Sequence, residues 1–405
     1  MAKKELDKYF TLLSLYLAQS IPMSFFSTVV PVIMRMENYS LESIGYLQLI
    51  KLPWIAKFFW APFIDHTSKN LGHYRRWILA SEFFYAIVIV AIGFLNLQTD
   101  FITIVILMVI AFTASANQDI ATDAFAILSL KKAERSIGNS MQSAGNFLGT
   151  MVGSGILLVI YSYYGWSNLL FGLALLVLLA LIPLMRYKLP QDKTDHRSGK
   201  QVSWLDFAHF FKQQGIWRHV LLLLIFYAGI IGILTMLKPY LVDLGYSIKQ
   251  IGLIVGIMGT GAGALMTLPA GIYIRRNGMR KTLMVLPILN LLVAVYFSAL
   301  TFTSNPPWMV YLGIILLWSA YAVSSVFVFT LSMGVVRKGK EGTDFTVQIV
   351  LTHLSSLIIS VASGKVADMI TYRGLFIAEA ILGVIILVLL YALYNEKFYE
   401  RNEHS

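Results

Sequence analysis

The sequence predicts an all-α membrane protein with twelve transmembrane helices in two pseudo-symmetric six-helix bundles. Three observations carry that expectation. Of 405 residues, 57% are hydrophobic and only 13% charged, with a mean hydropathy of +0.70; a soluble domain carries about a quarter charged residues. Apolar runs recur along the chain at the length of about 20 residues that a helix needs to cross a bilayer core. Short motifs of the first half also return, in order, in the second.

The first run follows the basic stretch MAKKELDKYF and continues to Met34 without a small-residue cleavage site. It therefore reads as a span, not a signal peptide. Eleven more follow, giving spans at about 10–34, 41–64, 77–97, 101–128, 138–161, 166–185, 217–241, 249–273, 282–302, 308–333, 344–367 and 373–394. One long polar stretch interrupts them. Residues 186–216 form a linker between an N-terminal six-helix bundle, 1–185, and a C-terminal one, 217–405, which ends in a short tail. Trp204, Phe207, Phe210 and Phe211 within the linker point to a short interfacial helix.

Charge placement sets the orientation. Most of the 32 lysines and arginines fall at the termini and on the loops of one side. The opposite loops hold Arg35, Lys249 and Arg373, while Lys51, Lys57, Lys238 and Lys365 lie within spans. Positive charge stays inside, so both termini are expected in the cytoplasm of a multi-pass protein of the bacterial inner membrane. The net charge of +11 is thereby assigned to orientation and not to nucleic acid. Cysteine is absent, which excludes disulfides and cysteine-based metal sites.

The repeats are specific in position. YSLESIGYL at 39–47 and YSIKQIGLI at 246–254 both read Y-S-x-x-x-I-G where a loop enters a span. Ser40 and Ser247 are placed there to cap the helices. DHTSKNLGHYRR at 65–76 pairs with RRNGMRK at 275–281, and GSGILLVIYSYYGWSNLLF at 153–171 with SGKVADMITYRGLF at 363–376. Matches in order at a similar offset imply a duplicated six-span unit, the two copies parallel. That architecture resembles the major facilitator superfamily.

Ionised groups at mid-bilayer are costly, so they should face the protein interior or a hydrated cavity. Asp119 and Asp123 are four residues apart and share a helix face, with Asn117, Gln118 and Thr122 around them. Lys57 and Lys51 lie in the second span, which Pro53 and Pro62 interrupt, and Glu82 lies in the third. Lys57, Glu82, Asp119 and Asp123 fall in one depth layer, where ion pairing would lower their cost. Two readings are open for the aspartates: proton binding and release as the cavity changes side, or a fixed latch at the cytoplasmic gate. Lys51, Lys57, Asn117 and Gln118 are candidate solute contacts, Lys51 being the deepest cation of the first half. Lys238 at the outer end of the seventh span, His353 in the eleventh and Glu379 in the twelfth are secondary candidates. Lys238 can snorkel, His353 can be a packing residue, and Glu379 can pair with Arg373 or Lys365.

Other chemistries find no support. GIMGTGAGALMTLPAG at 256–271 is glycine-rich but no lysine follows the glycines, and GVVRKGKE at 334–341 has Glu341 where a P-loop needs Ser or Thr. No metal-ligand cluster and no Ser–His–Asp set can be assembled.

The segment KFFWAPFIDHTSKNLGHYRRWIL, 57–79, resembles the second-to-third-span motif of the AmpG-type muropeptide permeases. ASANQDIATDAF, 114–125, resembles the same family's fourth-span motif. Relatives of this branch include acetyl-coenzyme A transporters and single-subunit siderophore permeases. The resemblance implies import by alternating access, usually proton-driven, and points to Lys57, Asp65, Gln118, Asp119 and Asp123 as functional. The wider superfamily pattern would make Asp65, Arg75 and Arg76 a cytoplasmic latch, to which Glu82 and Asp123 are added by depth. Phe125 and Asn117 depart from many muropeptide permeases, which have tryptophan and serine there. The expectation is a monomeric secondary transporter, without cofactor or metal, embedded in lipid and driven by a proton gradient. Its solute would be small and amphiphilic or anionic, an anhydromuropeptide first and a ferric siderophore second. A membrane-embedded enzyme on a lipid-linked substrate is the alternative from another class, and the duplicated halves disfavour it.

Overall fold

The computed structural model of the chain describes residues 3–36, 47–189, 203–394 and 398–399. Helix is the only regular structure among the described residues. The chain runs α1 (Glu5–Met34), the short α2 (Leu52–Ala56) and α3 (Ala61–Thr67), α4 (Leu71–Gly93), α5 (Phe101–Ser129), α6 (Lys132–Arg186), the short α7 (Asp206–His209), α8 (Ile216–Asp243), α9 (Lys249–Leu300), α10 (Pro307–Met333) and α11 (Glu341–Leu393). Eight of these helices are long and apolar enough to cross a membrane. The chain is a multi-pass membrane protein.

Three helices exceed 50 residues: α6, α9 and α11. Kept straight, each would measure on the order of 80 Å, well over twice the hydrocarbon thickness. Each turns sharply instead. The bends lie at Gly165 (φ 72°), Gly278 (φ 78°) and Ile370–Thr371 (φ −129° and 65°). Positive φ is open to glycine at little cost, but a β-branched threonine is strained there.

The stretch after α1 is broken for a different reason. Pro53 and Pro62 lack a backbone N–H and sit in the first turns of α2 and α3. The ladder tightens into 3₁₀ turns at Gln48–Lys51, just before Pro53, and at Lys57–Phe59, between the two prolines. The Y-S-x-x-x-I-G repeat at 39–47, with Ser40, lies almost wholly outside the described residues. Its partner caps as expected. Ser247 Oγ accepts from the Gln250 amide at 3.3 Å, while Gln250 Oε1 accepts from the Ser247 amide at 2.8 Å. This is a capping box at the helix beginning with Ile248.

The described chain forms two compact units. The first comprises Met1–Lys132, Gly145–Ala208 and Arg337–Thr346; the second comprises Ala133–Ala144, His209–Val336 and Val347–Ser405. In the first unit, Phe25, Phe26, Ile89, Phe112 and Leu170 from α1, α4, α5 and α6 make a dry core. α6 reaches α1 through glycines four residues apart. A Cβ on Gly145, Gly149 or Gly153 would lie 2.7, 2.5 or 2.4 Å from an atom of α1. Only hydrogen fits, so the backbones approach closely. At the Gly153 contact both helices loosen into π turns, Phe25–Val29 and Val152–Ile156, which lie against each other.

In the second unit α9 and α10 pack along their length. Ser140 Oγ donates to the Thr267 carbonyl at 2.7 Å, and a Cβ on Gly271 would lie 2.0 Å from that oxygen. Within the first unit, Phe207 of α7 packs on Phe58 and Phe59, and Trp204 just before α7 stacks on Phe63. The aromatic part of the linker therefore forms a docked short helix, as its composition suggests.

Candidate functional site

The 3₁₀ turn at Lys57–Phe59 drives the Lys57 side chain inward, where it is fully buried. Its ammonium pairs with Asp119 Oδ2 on α5 and lies 4.5 Å from the Trp54 ring centre. Asp119 is 5% exposed and accepts a second bond at Oδ1, from Gln19 Nε2 of α1 at 2.7 Å. One turn along α5, Asp123 Oδ1 accepts from the Tyr16 hydroxyl at 2.6 Å. Asp119 and Lys57 are its charged neighbours. Three helical segments thus converge on two carboxylates and one ammonium. A buried cation facing a carboxylate, with further donors on the carboxylate, is the arrangement that makes burial of both tolerable.

The adjoining stripe of α5 differs. Gln118 and Thr122 are fully buried, and neither the Gln118 amide nor the Thr122 hydroxyl has a hydrogen-bond partner. Buried polar atoms are rarely left so. Asn117 is engaged, its Oδ1 accepting from Trp60 Nε1 at 2.7 Å. Lys51 ends the first 3₁₀ turn, half-buried.

A second cluster surrounds Asp65, which is fully buried at the end of α3. Its Oδ1 accepts from the Tyr74 hydroxyl at 2.7 Å and from the Gly342 amide at 3.1 Å. Its Oδ2 accepts from the amide and hydroxyl of Thr343, each at 2.7 Å. The carboxylate caps the first turn of α11, where free N–H groups and the helix dipole favour an anion.

The arginines expected beside Asp65 go elsewhere. Arg75 donates to the carbonyls of Met185 at 2.6 Å and Tyr187 at 3.4 Å. Those carbonyls end α6 and have no partner within it. Arg76 is exposed. Glu82 joins neither cluster: it is fully buried on α4 and both its carboxyl oxygens are unpartnered.

In the second unit Glu379 is 4% exposed, and its partner is the Ser363 hydroxyl at 3.4 Å. Gly232 makes room for it; a Cβ there would lie 1.8 Å from Glu379 Oε1. The pairing expected with Arg373 or Lys365 does not form. Arg373 donates to the Thr301 carbonyl at 2.9 Å and covers the Phe302 ring, and Lys365 is exposed. Lys238 and His353 are both exposed.

Sequence reasoning missed several participants. Tyr16 and Gln19 are polar groups inside the first apolar run, the same signal that exposes Asp119. A third cluster was hidden in a stretch read only for its lack of a P-loop. Arg337 donates to Asp344 through Nε at 2.8 Å and to the Asp206 carbonyl through Nη2 at 2.8 Å, and Lys340 pairs with Asp206 Oδ1. The linker residue Asp206 is thereby tied to the loop before α11.

Comparison with known proteins places these features. The chain is 27% identical over 286 residues to the anhydromuropeptide permease of Escherichia coli; the match covers 69% of this chain and 58% of the permease's length. It is 24% identical over 406 residues to the AmpG 3 protein of Rickettsia prowazekii, covering 93% of each. Among solved structures, a bacterial homologue of the iron transporter ferroportin in an outward-facing state superposes with a TM-score of 0.71 over 96% of this chain and 99% of that one. At 15% identity that likeness concerns the fold. Residues 12–358 match the Major Facilitator Superfamily, and the chain belongs to that family.

Proposed function

We propose that the chain is a secondary transporter of the bacterial inner membrane that imports an anhydromuropeptide by proton-coupled alternating access. It crosses the membrane twelve times. The bends in α6, α9 and α11 divide each into two crossings, and the proline-broken stretch around α2 and α3 supplies one more. An even number of crossings puts both termini on one side, and the distribution of lysine and arginine supports the cytoplasmic side.

The observation that carries this reading is the contrast between two stripes of α5. Asp119 is held by Lys57 and Gln19, while Gln118 and Thr122 are buried with nothing to bond. The first stripe holds a charge balance that gain or loss of one proton upsets. The second offers an amide and a hydroxyl to a polar solute. A sugar bearing a short peptide supplies matching hydroxyl, amide and carboxylate groups, and the Escherichia coli relative carries that solute in its name.

Proteoliposome uptake tests the reading. Labelled anhydromuropeptide accumulates unmodified when a pH gradient is imposed without ATP, and ferric siderophore does not compete. Uptake of labelled ferric siderophore and none of the muropeptide would move the solute to the neighbouring branch. Product formed without accumulation would overturn transport itself.

A further inference from the structure

The two copies of the basic loop repeat differ in chemistry. The first, at 65–76, begins with Asp65, which caps α11. The second, RRNGMRK at 275–281, holds four cations and no acid. No aspartate or glutamate occurs anywhere between Asp243 and Glu341. Gly278 turns the chain sharply in the middle of this basic run. Arg275, Arg276, Arg280 and Lys281 are all exposed around the turn. Arg275, Arg276 and Lys281 pair with no carboxylate among the described residues.

Beyond the turn, α9 runs beside the last part of α11. The Tyr391 hydroxyl donates to the Met284 carbonyl at 2.8 Å, and Ser298 Oγ donates to the Phe376 carbonyl at 2.8 Å. Between those contacts, a Cβ on Gly383 would lie 3.1 Å from the Leu291 side chain. Numbers rise along α9 as they fall along α11, so the two segments are antiparallel. Where this pair meets the basic run, a pocket of about 170 Å³ opens, lined by Arg280, Leu283, Met284, Tyr391 and Tyr394. Sites that enclose a whole small molecule measure roughly 300–1,000 Å³, so this one suits a single compact group. Exposed apolar side chains lead away from it: Met284, Ile288 and Leu292 on α9, and Tyr391, Val388 and Val384 on α11. They recur every three or four residues, so each set lies on one helix face.

A cationic cleft at the head of an apolar seam matches an amphiphile with an anionic head. The arginine guanidinium presents a planar fork of N–H donors that suits phosphate. Basic pockets between membrane helices hold anionic headgroups for the same reason. Orientation alone accounts for cations at span ends. It does not call for a cleft lined by one of them where two apolar helix faces begin. We propose that the cleft at Arg280 binds an anionic phospholipid, its phosphate at Arg280 and Lys281 and its acyl chains along the exposed faces of α9 and α11. Arg275 and Arg276, on the other limb of the turn, add to the positive potential that draws the headgroup in. The site lies wholly within the second unit and shares no residue with the polar stripes of α5. It goes beyond the transport reading and uses it only to assign the lipid to the cytoplasmic leaflet.

Native mass spectrometry of the purified full chain in detergent tests the site, with phosphatidylglycerol and phosphatidylethanolamine supplied at equal concentration. Wild type retains phosphatidylglycerol in preference to phosphatidylethanolamine. The double variant Arg280→Gln with Lys281→Gln binds phosphatidylglycerol about 30-fold more weakly. Arg186→Gln with Lys188→Gln removes the same charge from two exposed positions at the end of α6 and leaves binding unchanged. Equal affinity in wild type and the Arg280 and Lys281 variant overturns the site, as does equal retention of the two lipids. Equal weakening by the α6 pair overturns it in favour of net charge. Displacement of the lipid by inorganic phosphate at matched concentration overturns the lipid as occupant. A second readout is the melting temperature, which phosphatidylglycerol raises more than phosphatidylethanolamine in wild type and not in the Arg280 and Lys281 variant. A difference that persists in the variant also overturns the site. No solute enters either measurement, so a failure of muropeptide uptake counts against the transport reading alone.

Discussion

At the residue scale, the centre of the first unit is governed by what each polar atom on α5 has to bond. Asp119 has Lys57 and Gln19, so removing either charged partner strands the other in a dry place. Breaking a buried pair from one side costs about 3–5 kcal/mol, while removing both partners costs far less. Thermal unfolding of the detergent-solubilised protein should show Lys57→Met and Asp119→Asn each strongly destabilising, and the double variant milder than either. Additive losses would mean the two groups do not face each other. Thr122 gives the opposite expectation. Its hydroxyl bonds nothing, so Thr122→Val should leave stability unchanged or raise it by about 1 kcal/mol. Solute affinity in a binding assay should fall in the same variant. The positions of Asp119, Asp123 and Lys57 were legible from cost alone, because charge in an apolar run demands a reason. Their donors were not. Nothing in the spacing of Tyr16 or Gln19 says which helix they will meet, since that depends on how α1 crosses α5.

At the element scale, the helices are shaped by small departures from regularity. The Gly145, Gly149 and Gly153 stripe sets the distance between α1 and α6. Gly149→Leu forces a side chain into Ser20 and should cost about 1–3 kcal/mol, read as a lowered melting temperature. An unchanged melting temperature would show that the contact is looser than 2.5 Å implies. Thr371 works in the other direction. Its φ of 65° is strained for a β-branched residue at a bend where α6 and α9 use glycine. Thr371→Gly should therefore stabilise by about 1 kcal/mol. The linker's helix was legible from its aromatic residues, and the Ser247 cap from its position before a span. The Arg75 contacts were not, because the carbonyls it satisfies belong to the end of α6, more than a hundred residues away. The cluster of Arg337, Lys340 and Asp206 was hidden for the same reason.

At the scale of the whole molecule, composition and hydropathy declared a helical membrane protein, and family membership follows from a match across residues 12–358. Asp65 pins the start of α11 through the Thr343 amide. Lys57 and Asp119 hold the charge balance that a proton can disturb. The central claim is that this balance drives uptake, and one measurement addresses it most directly. Wild type and Asp119→Asn are reconstituted at equal density, and labelled anhydromuropeptide uptake is followed with and without an imposed pH gradient. Gradient-dependent accumulation in wild type that is lost in Asp119→Asn, with solute exchange across the membrane retained, is the predicted result. Gradient-driven accumulation of equal size in both proteins would contradict it.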